Sequence, residues 1–321
     1  MNRRSLTRGM HVLALAAACG LSAFASGQDE ADAPARKNIY DEKADGAAQV
    51  EEALARAKAE NRRVLIQWGA NWCGWCHLLH DTFESDEAVK RKLLYEYDVV
   101  LIDIGRFDKN LELATRFNAD FKSNGVPFLT VLDAEGKPLA NQETGSLELK
   151  DAPKPGHDAK KVLAFLEKHQ ATYLPAESVL ESGLARARKE NKVVFLHFGA
   201  PWCHWCRNLE KWMARPEVGP VMGKAFVDVK VDTDRMIGGH ELMRRYTGGK
   251  STGIPFFVFL RPNGDVLRTS FDEDGKNLGC PWSPDEIAVF KAIIADVTTR
   301  MDAKDIDAVT SYLGKRKTTG G

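Results

Sequence analysis

The chain has no surplus of charge: Lys and Arg together number 45, and so do Asp and Glu. That balance supplies no basic field to gather nucleic acid, and none is expected as a partner. Basic runs such as Arg186-Ala187-Arg188-Lys189 have few aromatics nearby and read as the solvated side of a helix. Cysteine is scarce too, six in 321 residues, and four of the six fall in two close pairs. A small disulfide-stapled scaffold would be denser in cysteine and would scatter it through loops. No glycine-rich dinucleotide fingerprint occurs, so no nicotinamide, flavin or other cofactor is expected. Long apolar runs are missing as well; the one near the N-terminus is too short and too early to span a membrane. With 44% hydrophobic and 28% charged residues, what remains is a globular chain long enough for two domains.

The N-terminal run has another reading. Arg3, Arg4 and Arg8 precede apolar residues from Val12 to Ala18 and on through Leu21 to Phe24. Ala23-Phe24-Ala25 then offers the small-x-small pattern of signal cleavage, so residues 1–25 read as an export signal. Ala16-Ala17-Ala18-Cys19 gives a second choice, a lipoprotein box without its usual leucine, with the chain anchored through Cys19. Both place the protein outside the cytoplasm, periplasmic or secreted. Residues 26–47, rich in Ala, Asp and Lys, are expected to form a flexible leader.

An internal repeat follows. Leu54-Ala55-Arg56-Ala57 returns as Leu184-Ala185-Arg186-Ala187, 130 residues later, and Cys73 and Cys76 return as Cys203 and Cys206 at the same spacing. Gly125-Val126-Pro127-Phe128 corresponds to Gly253-Ile254-Pro255-Phe256. A period this long marks duplicated domains and not a solenoid. We expect them at 48–172 and 173–315, with the junction near Thr172-Tyr173-Leu174-Pro175. In each copy a helix (about 48–60; 177–190) leads to an apolar strand (64–69; 193–198), and the cysteine pair opens the next helix. A second strand ends in acid at Asp103 or Asp232, a short helix follows, and two strands joined by a turn come after the Gly-x-Pro. Asn263-Gly264 is a strong hairpin signal. A closing helix (about 158–169; 284–300) completes each unit. The pattern predicts an α/β fold, two tandem domains each with a central mixed sheet flanked by helices.

The chemistry lies in Trp72-Cys73-Gly74-Trp75-Cys76 and Trp202-Cys203-His204-Trp205-Cys206. At the first turn of a helix, Cys73 and Cys203 point toward unpaired backbone N–H groups and the positive end of the helix dipole, which favour the reactive thiolate. Cys76 and Cys206 lie one turn on, on the same face and within disulfide reach. The first cysteine can attack a client disulfide and the second resolve the mixed disulfide. Pro127 and Pro255 allow two readings: plain strand-initiating prolines, or cis prolines beside the cysteines, with Val126 and Ile254 offering backbone to an extended client. Beside a repeated cysteine pair the second is preferred. Trp75 and Trp205 should be partly exposed and give clients an apolar contact; Trp72 and Trp202 should be half-packed. Cys280 has no counterpart in the first repeat and reads as an inert thiol.

These residues make the chain similar to tandem thioredoxin-fold proteins, close to extracytoplasmic thioredoxin-like proteins with a Trp-Cys-x-Trp-Cys motif, over about residues 48–300. The resemblance implies a thiol–disulfide oxidoreductase of the thioredoxin or disulfide-isomerase kind. It implies Cys73 and Cys203 as nucleophiles, Cys76 and Cys206 as resolving thiols, and Pro127 and Pro255 in cis. Two positions depart from thioredoxin: Gly74-Trp75 and His204-Trp205 replace Gly-Pro, and Gln67 and His197 replace the buried Asp six residues before the nucleophile. A protonated His204 would favour its neighbour's thiolate and make the second site more oxidising. Expected partners are protein disulfide substrates and a membrane-bound thiol relay as electron donor.

Three rival readings rank lower. Cys73-Gly74-Trp75-Cys76-His77 spells a c-type haem attachment, but the second copy has Arg207 where the ligand should be. A shared zinc would need cysteines far closer in sequence than Cys76 and Cys203. A holdase or assembly adaptor on the same scaffold needs neither pair.

Overall fold

The computed structural model describes residues 36–150 and 152–314. The expected export segment, 1–25 with Cys19, lies outside them. Elements run in the order α1 (Gly46–Glu60), β1 (Arg63–Gly69), α2 (Gly74–Ser85), α3 (Glu87–Glu96), β2 (Tyr97–Asp103), α4 (Leu111–Arg116), α5 (Phe121–Asn124), β3 (Phe128–Leu132), β4 (Pro138–Glu143) and α6 (Ala159–His169). The second copy follows as α7 (Ala176–Glu190), β5 (Val193–Gly199), α8 (His204–Met213), α9 (Gly219–Ala225), β6 (Phe226–Asp232), α10 (Gly239–Thr247), β7 (Phe256–Leu260), β8 (Val266–Thr269), α11 (Pro284–Val297) and α12 (Ala303–Thr310). Among the described residues no helix is long and apolar enough to cross a membrane.

Each copy holds a four-stranded mixed sheet, ordered β2-β1-β3-β4 and β6-β5-β7-β8. The first pairing is parallel and the other two antiparallel. Strand alternation decides which side chains meet the cysteines. Val64, Ile66 and Trp68 of β1 face α1, α4 and α5, whereas Leu65 faces α2, α3 and α6. Gln67 therefore falls on the α2 face, beneath the cysteine helix. The second copy repeats the division. Val194, Leu196 and Phe198 pack on α7 and α10, and Phe195 packs with Leu209, Trp212 and Phe290. His197 occupies the position of Gln67.

Both opening helices end on an asparagine, Asn61 and Asn191, in the left-handed region (φ 51° and 50°), which Asn tolerates better than most residues. The expected closing helix of the second copy is split. α11 stops at Val297, before Thr298-Thr299, and Asp302 accepts from the Asp305 N–H to cap a further helix, α12. The expected flexible leader also needs correction at its C-terminal end. Tyr40 is buried, the Ile39 and Tyr40 N–H groups donate to Asn71 Oδ1 at 3.0 Å, and Asp45 caps α1. One aromatic side chain filling a slot beside the cysteines holds this segment down.

Candidate active site

In both copies the strand-to-helix junction makes the first cysteine the N-cap of the helix it opens. Cys73 and Cys203 have extended backbone, and each Sγ accepts from the N–H of the second cysteine at 3.1 Å. The pairs are closed as disulfides, Cys73–Cys76 and Cys203–Cys206, with Cα atoms 5.3 Å apart. Cys76 and Cys206 are sealed beneath the helix; Cys73 and Cys203 lie at the rim. The Val126 carbonyl oxygen stands 3.6 Å from Cys73 Sγ, and that of Ile254 stands 3.6 Å from Cys203 Sγ. The Val126–Pro127 and Ile254–Pro255 bonds are both cis. Pro127 and Pro255 are buried, and their carbonyls accept from Thr144 Oγ1 at 2.6 Å and Asn277 Nδ2 at 3.0 Å. The structure thus gathers cysteines, prolines, Val126 and Ile254 at one place in each domain.

All four tryptophans of the two motifs are partly exposed. Trp72 and Trp202 are the more exposed pair, at 44% and 55%, against 36% and 44% for Trp75 and Trp205. Their indole N–H groups are fixed, Trp72 on the Gly105 carbonyl at 2.7 Å and Trp202 on Asp234 Oδ2 at 3.0 Å, and the Trp72 ring also meets Phe107 and Arg106. Each inter-cysteine tryptophan leans edge-on against a ring just before the closing helix: Trp75 on His157 and Trp205 on Trp282, both with centroids 5.6 Å apart. Gly74 is exposed, with open space where a Cβ would stand, and exposed His204 takes that position in the second copy. His204 Nε2 lies 3.1 Å from Asn208 Nδ2.

A family model described as Thioredoxin-like matches residues 45–134. A second, the DsbH-type thioredoxin model described as a protein of unknown function, DUF255, matches residues 158–301. The chain belongs to the thioredoxin-like superfamily. It is similar to human spermatogenesis-associated protein 20, 36% identical over 81 residues, or 24% of this chain and 10% of that protein. It is also similar to the disulfide bond reductase DsbH of Chlamydia pneumoniae, 29% identical over 94 residues, 28% of this chain and 57% of the relative. The chain thus spans about a tenth of the first relative's length and under two thirds of the second's. Among solved structures it resembles a disulphide isomerase from Xylella fastidiosa Temecula1, at 32% identity and TM-score 0.36, covering 41% of this chain and 96% of that one. Both thioredoxin-like sites have the construction of a thiol–disulfide oxidoreductase.

Beneath the sulfurs the two thioredoxin-like sites diverge. In the first, Gln67 Nε2 donates to Tyr40 Oη at 2.7 Å and to the Cys76 carbonyl at 3.2 Å. In the second, buried His197 pairs with Asp228 at 3.0 Å, and Glu210, one turn beyond Cys206, pairs with Lys230 at 2.9 Å. Glu210 follows a legible rule, position i+4 from a buried cysteine. Lys230 lies in register with His197. Tyr40 had no such signal. The Cys-x-x-Cys-His match now has a structural reason: His77 Nε2 bonds the Asn71 carbonyl at 2.9 Å, and Arg207 Nη1 donates to the equivalent Pro201 carbonyl at 2.7 Å. Both residues hold the loop before the first cysteine. Burial pushes the Cys280 thiol up to about 12, with Glu286 adding to the effect, so it stays protonated and unreactive.

Proposed function

We propose that this chain is an exported thiol–disulfide oxidoreductase that reduces or isomerises the disulfides of protein clients through both sites. Residues 1–25 act as the removed signal, and 48–172 and 173–315 are the two working domains. One observation carries the reading. In each domain an N-capping sulfur at the rim is bonded to a sulfur sealed behind it and faces a loop carbonyl that an extended chain can join. Reduced, Cys73 or Cys203 becomes a thiolate held by a backbone N–H and the helix dipole. It attacks a client disulfide, and Cys76 or Cys206 then displaces the client and closes the internal disulfide. Trp75 and Trp205 give clients an apolar contact; Trp72, Gly74, Trp202 and His204 form the surrounding lip. Val126 and Ile254 pair with client backbone, with Pro127 and Pro255 behind them. Each reductive turnover leaves a disulfide, so reduction requires an external dithiol donor, and a membrane-bound thiol relay fits that need.

The test is reduction of insulin by dithiothreitol, followed as turbidity, with one site silenced at a time. The Cys73→Ser/Cys76→Ser and Cys203→Ser/Cys206→Ser proteins should each keep part of the activity, and the quadruple variant should fall to the uncatalysed rate. A quadruple variant as active as the parent would make the chain a binding scaffold instead.

A further inference from the structure

The first site buries a phenol against its sulfurs. Tyr40, 3% exposed, packs with Cys73 and Cys76 beside Ile39, Leu101 and Val126. It reaches Cys76 because β1 ends in glycine. A Cβ on Gly69 would stand 2.6 Å from Cys76 Sγ and would overlap the Tyr40 hydroxyl, so oxygen and sulfur share the space a side chain would fill. Gln67 sets the direction of the hydrogen bonding. Its amide must turn Nε2 toward the Cys76 carbonyl, since the opposite orientation would set two acceptors face to face. The same Nε2 donates to Tyr40 Oη. The phenol oxygen therefore accepts from Gln67, and its own proton is left to give. A buried O–H needs an acceptor, and the Cys76 sulfur is beside it.

We propose that Tyr40 is a positioning residue of the first site, donating a hydrogen bond to the Cys76 sulfur once the disulfide is open and so easing its conversion to the resolving thiolate. The inference rests on the oxidoreductase reading and deepens it. In the forward step the Cys73 thiolate forms a bond to one client sulfur, and the other client sulfur leaves and takes a proton from water. Cys76 then loses its proton to water, its thiolate bonds Cys73 Sγ, and the second client sulfur leaves and is protonated. The client gains two electrons and two protons; the cysteine pair loses both electrons and the Cys76 proton, and water supplies the other proton. Tyr40 keeps its proton throughout, because burial pushes the phenol far above its usual range, against the opposing Gln67 bond and with help from Asp103. The charged groups facing it are few. Asp103 of β2 lies in register with Gly69 but is held by Lys109 Nζ at 2.9 Å. His77 of α2 is turned onto the Asn71 carbonyl, and Gln67 of β1 is neutral. The second site differs: Glu210 Oε1 lies 3.9 Å from where a Cβ on Gly199 would stand, with Cys206 Sγ 3.3 Å from that same point. A carboxylate there can take a proton; the neutral Tyr40 phenol can offer its hydrogen bond but not serve as a base.

The test uses the full chain with Cys203→Ser/Cys206→Ser, comparing Tyr40 with Tyr40→Phe. A disulfide peptide is added to the reduced protein, and the lifetime of the mixed disulfide on Cys73 is followed by acid quench and mass spectrometry across pH 6–9. Loss of one charge-assisted hydrogen bond should slow resolution about tenfold at neutral pH and move its pH midpoint up by about one unit, with the first attack unchanged. Uniform replacement of tyrosine by 3-fluorotyrosine keeps the rings in place and strengthens the donor. It should move the midpoint down, whether or not the Phe variant folds. A midpoint unmoved by fluorination, or by Tyr40→Phe in a folded protein, overturns the assignment. A parent that forms no mixed disulfide on Cys73 overturns the oxidoreductase reading with it.

Discussion

At the scale of single residues, the two sites differ in which ring supports the tryptophan between the cysteines. His157 and Trp282 stand at the same place, each one residue before the N-cap of a closing helix, Asp158 and Ser283. Trp282 is an indole with no charge to gain. His157 is 4% exposed, neither ring nitrogen has a hydrogen-bond partner, and burial pulls its pKa down to about 4. Protonation is therefore easier in the unfolded chain, where histidine titrates near 6.5. Stability from this residue is complete above about pH 6.5 and is lost as pH falls toward 4. Allowing for solvent screening at the rim, the loss amounts to about 2 kcal/mol. Urea unfolding at pH 7 and at pH 4.5 should show the parent losing about that much more than His157→Phe. Equal losses in the two proteins would mean the ring is protonated without penalty.

At the scale of elements, the loop leading into α2 is fastened twice. His77 holds the Asn71 carbonyl from the helix, and the Asn71 side chain accepts from Ile39 and Tyr40, donates to the Tyr40 carbonyl at 3.0 Å and reaches Glu42. In the second copy Pro201 stands at that position and makes no side-chain hydrogen bond, so only the Arg207 fastening remains. Asn71→Ala should therefore cost about 2 kcal/mol, from several partly buried hydrogen bonds worth about 1 kcal/mol each, and should loosen Tyr40. Urea unfolding measures the first, and faster hydrogen exchange at Tyr40 measures the second. Turnover by the second site with the first silenced should not change. These tethers also mark what the sequence could tell. The strands Phe128–Leu132 and Phe256–Leu260 begin after the Gly-x-Pro, as expected, because proline starts each and a turn ends it. The cysteine helices began where the motif put them. Tyr40 stayed hidden because it is one aromatic in a run of Ala, Asp and Lys, with no period to mark it. α12 stayed hidden because the α11 pattern runs on in sequence, whereas Thr298-Thr299 and the Asp302 cap break it in space.

At the scale of the whole molecule, the two thioredoxin-like domains are joined through a buried charge. Arg235 follows β6, and Glu96 ends α3; their side chains are 5% and 1% exposed. The guanidinium donates twice to Glu96 Oε2 at 3.2 Å, and to the carbonyls of Glu60 and Asn61 at 2.8 and 2.7 Å. Tyr173, between the domains, donates to the other oxygen of Glu96. Next door, Tyr95 of the first domain donates to Asp234 Oδ2 at 2.9 Å, the atom that also holds the Trp202 indole. The joint thus ends at the lip of the second site. Such a pair need not stabilise the protein relative to apolar packing, but removing one member strands the other's charge in the interior. Arg235→Ala should destabilise by about 3–5 kcal/mol and split the calorimetric transition in two as the domains uncouple. It should also alter the emission of Trp202, read in a protein with its other tryptophans replaced by Phe. Arg235→Met with Glu96→Leu removes both charges and should recover part of the loss, though not the bonds to Glu60, Asn61 and Tyr173. If Arg235→Ala instead unfolds in one transition within about 1 kcal/mol of the parent, the buried charge does not couple the domains.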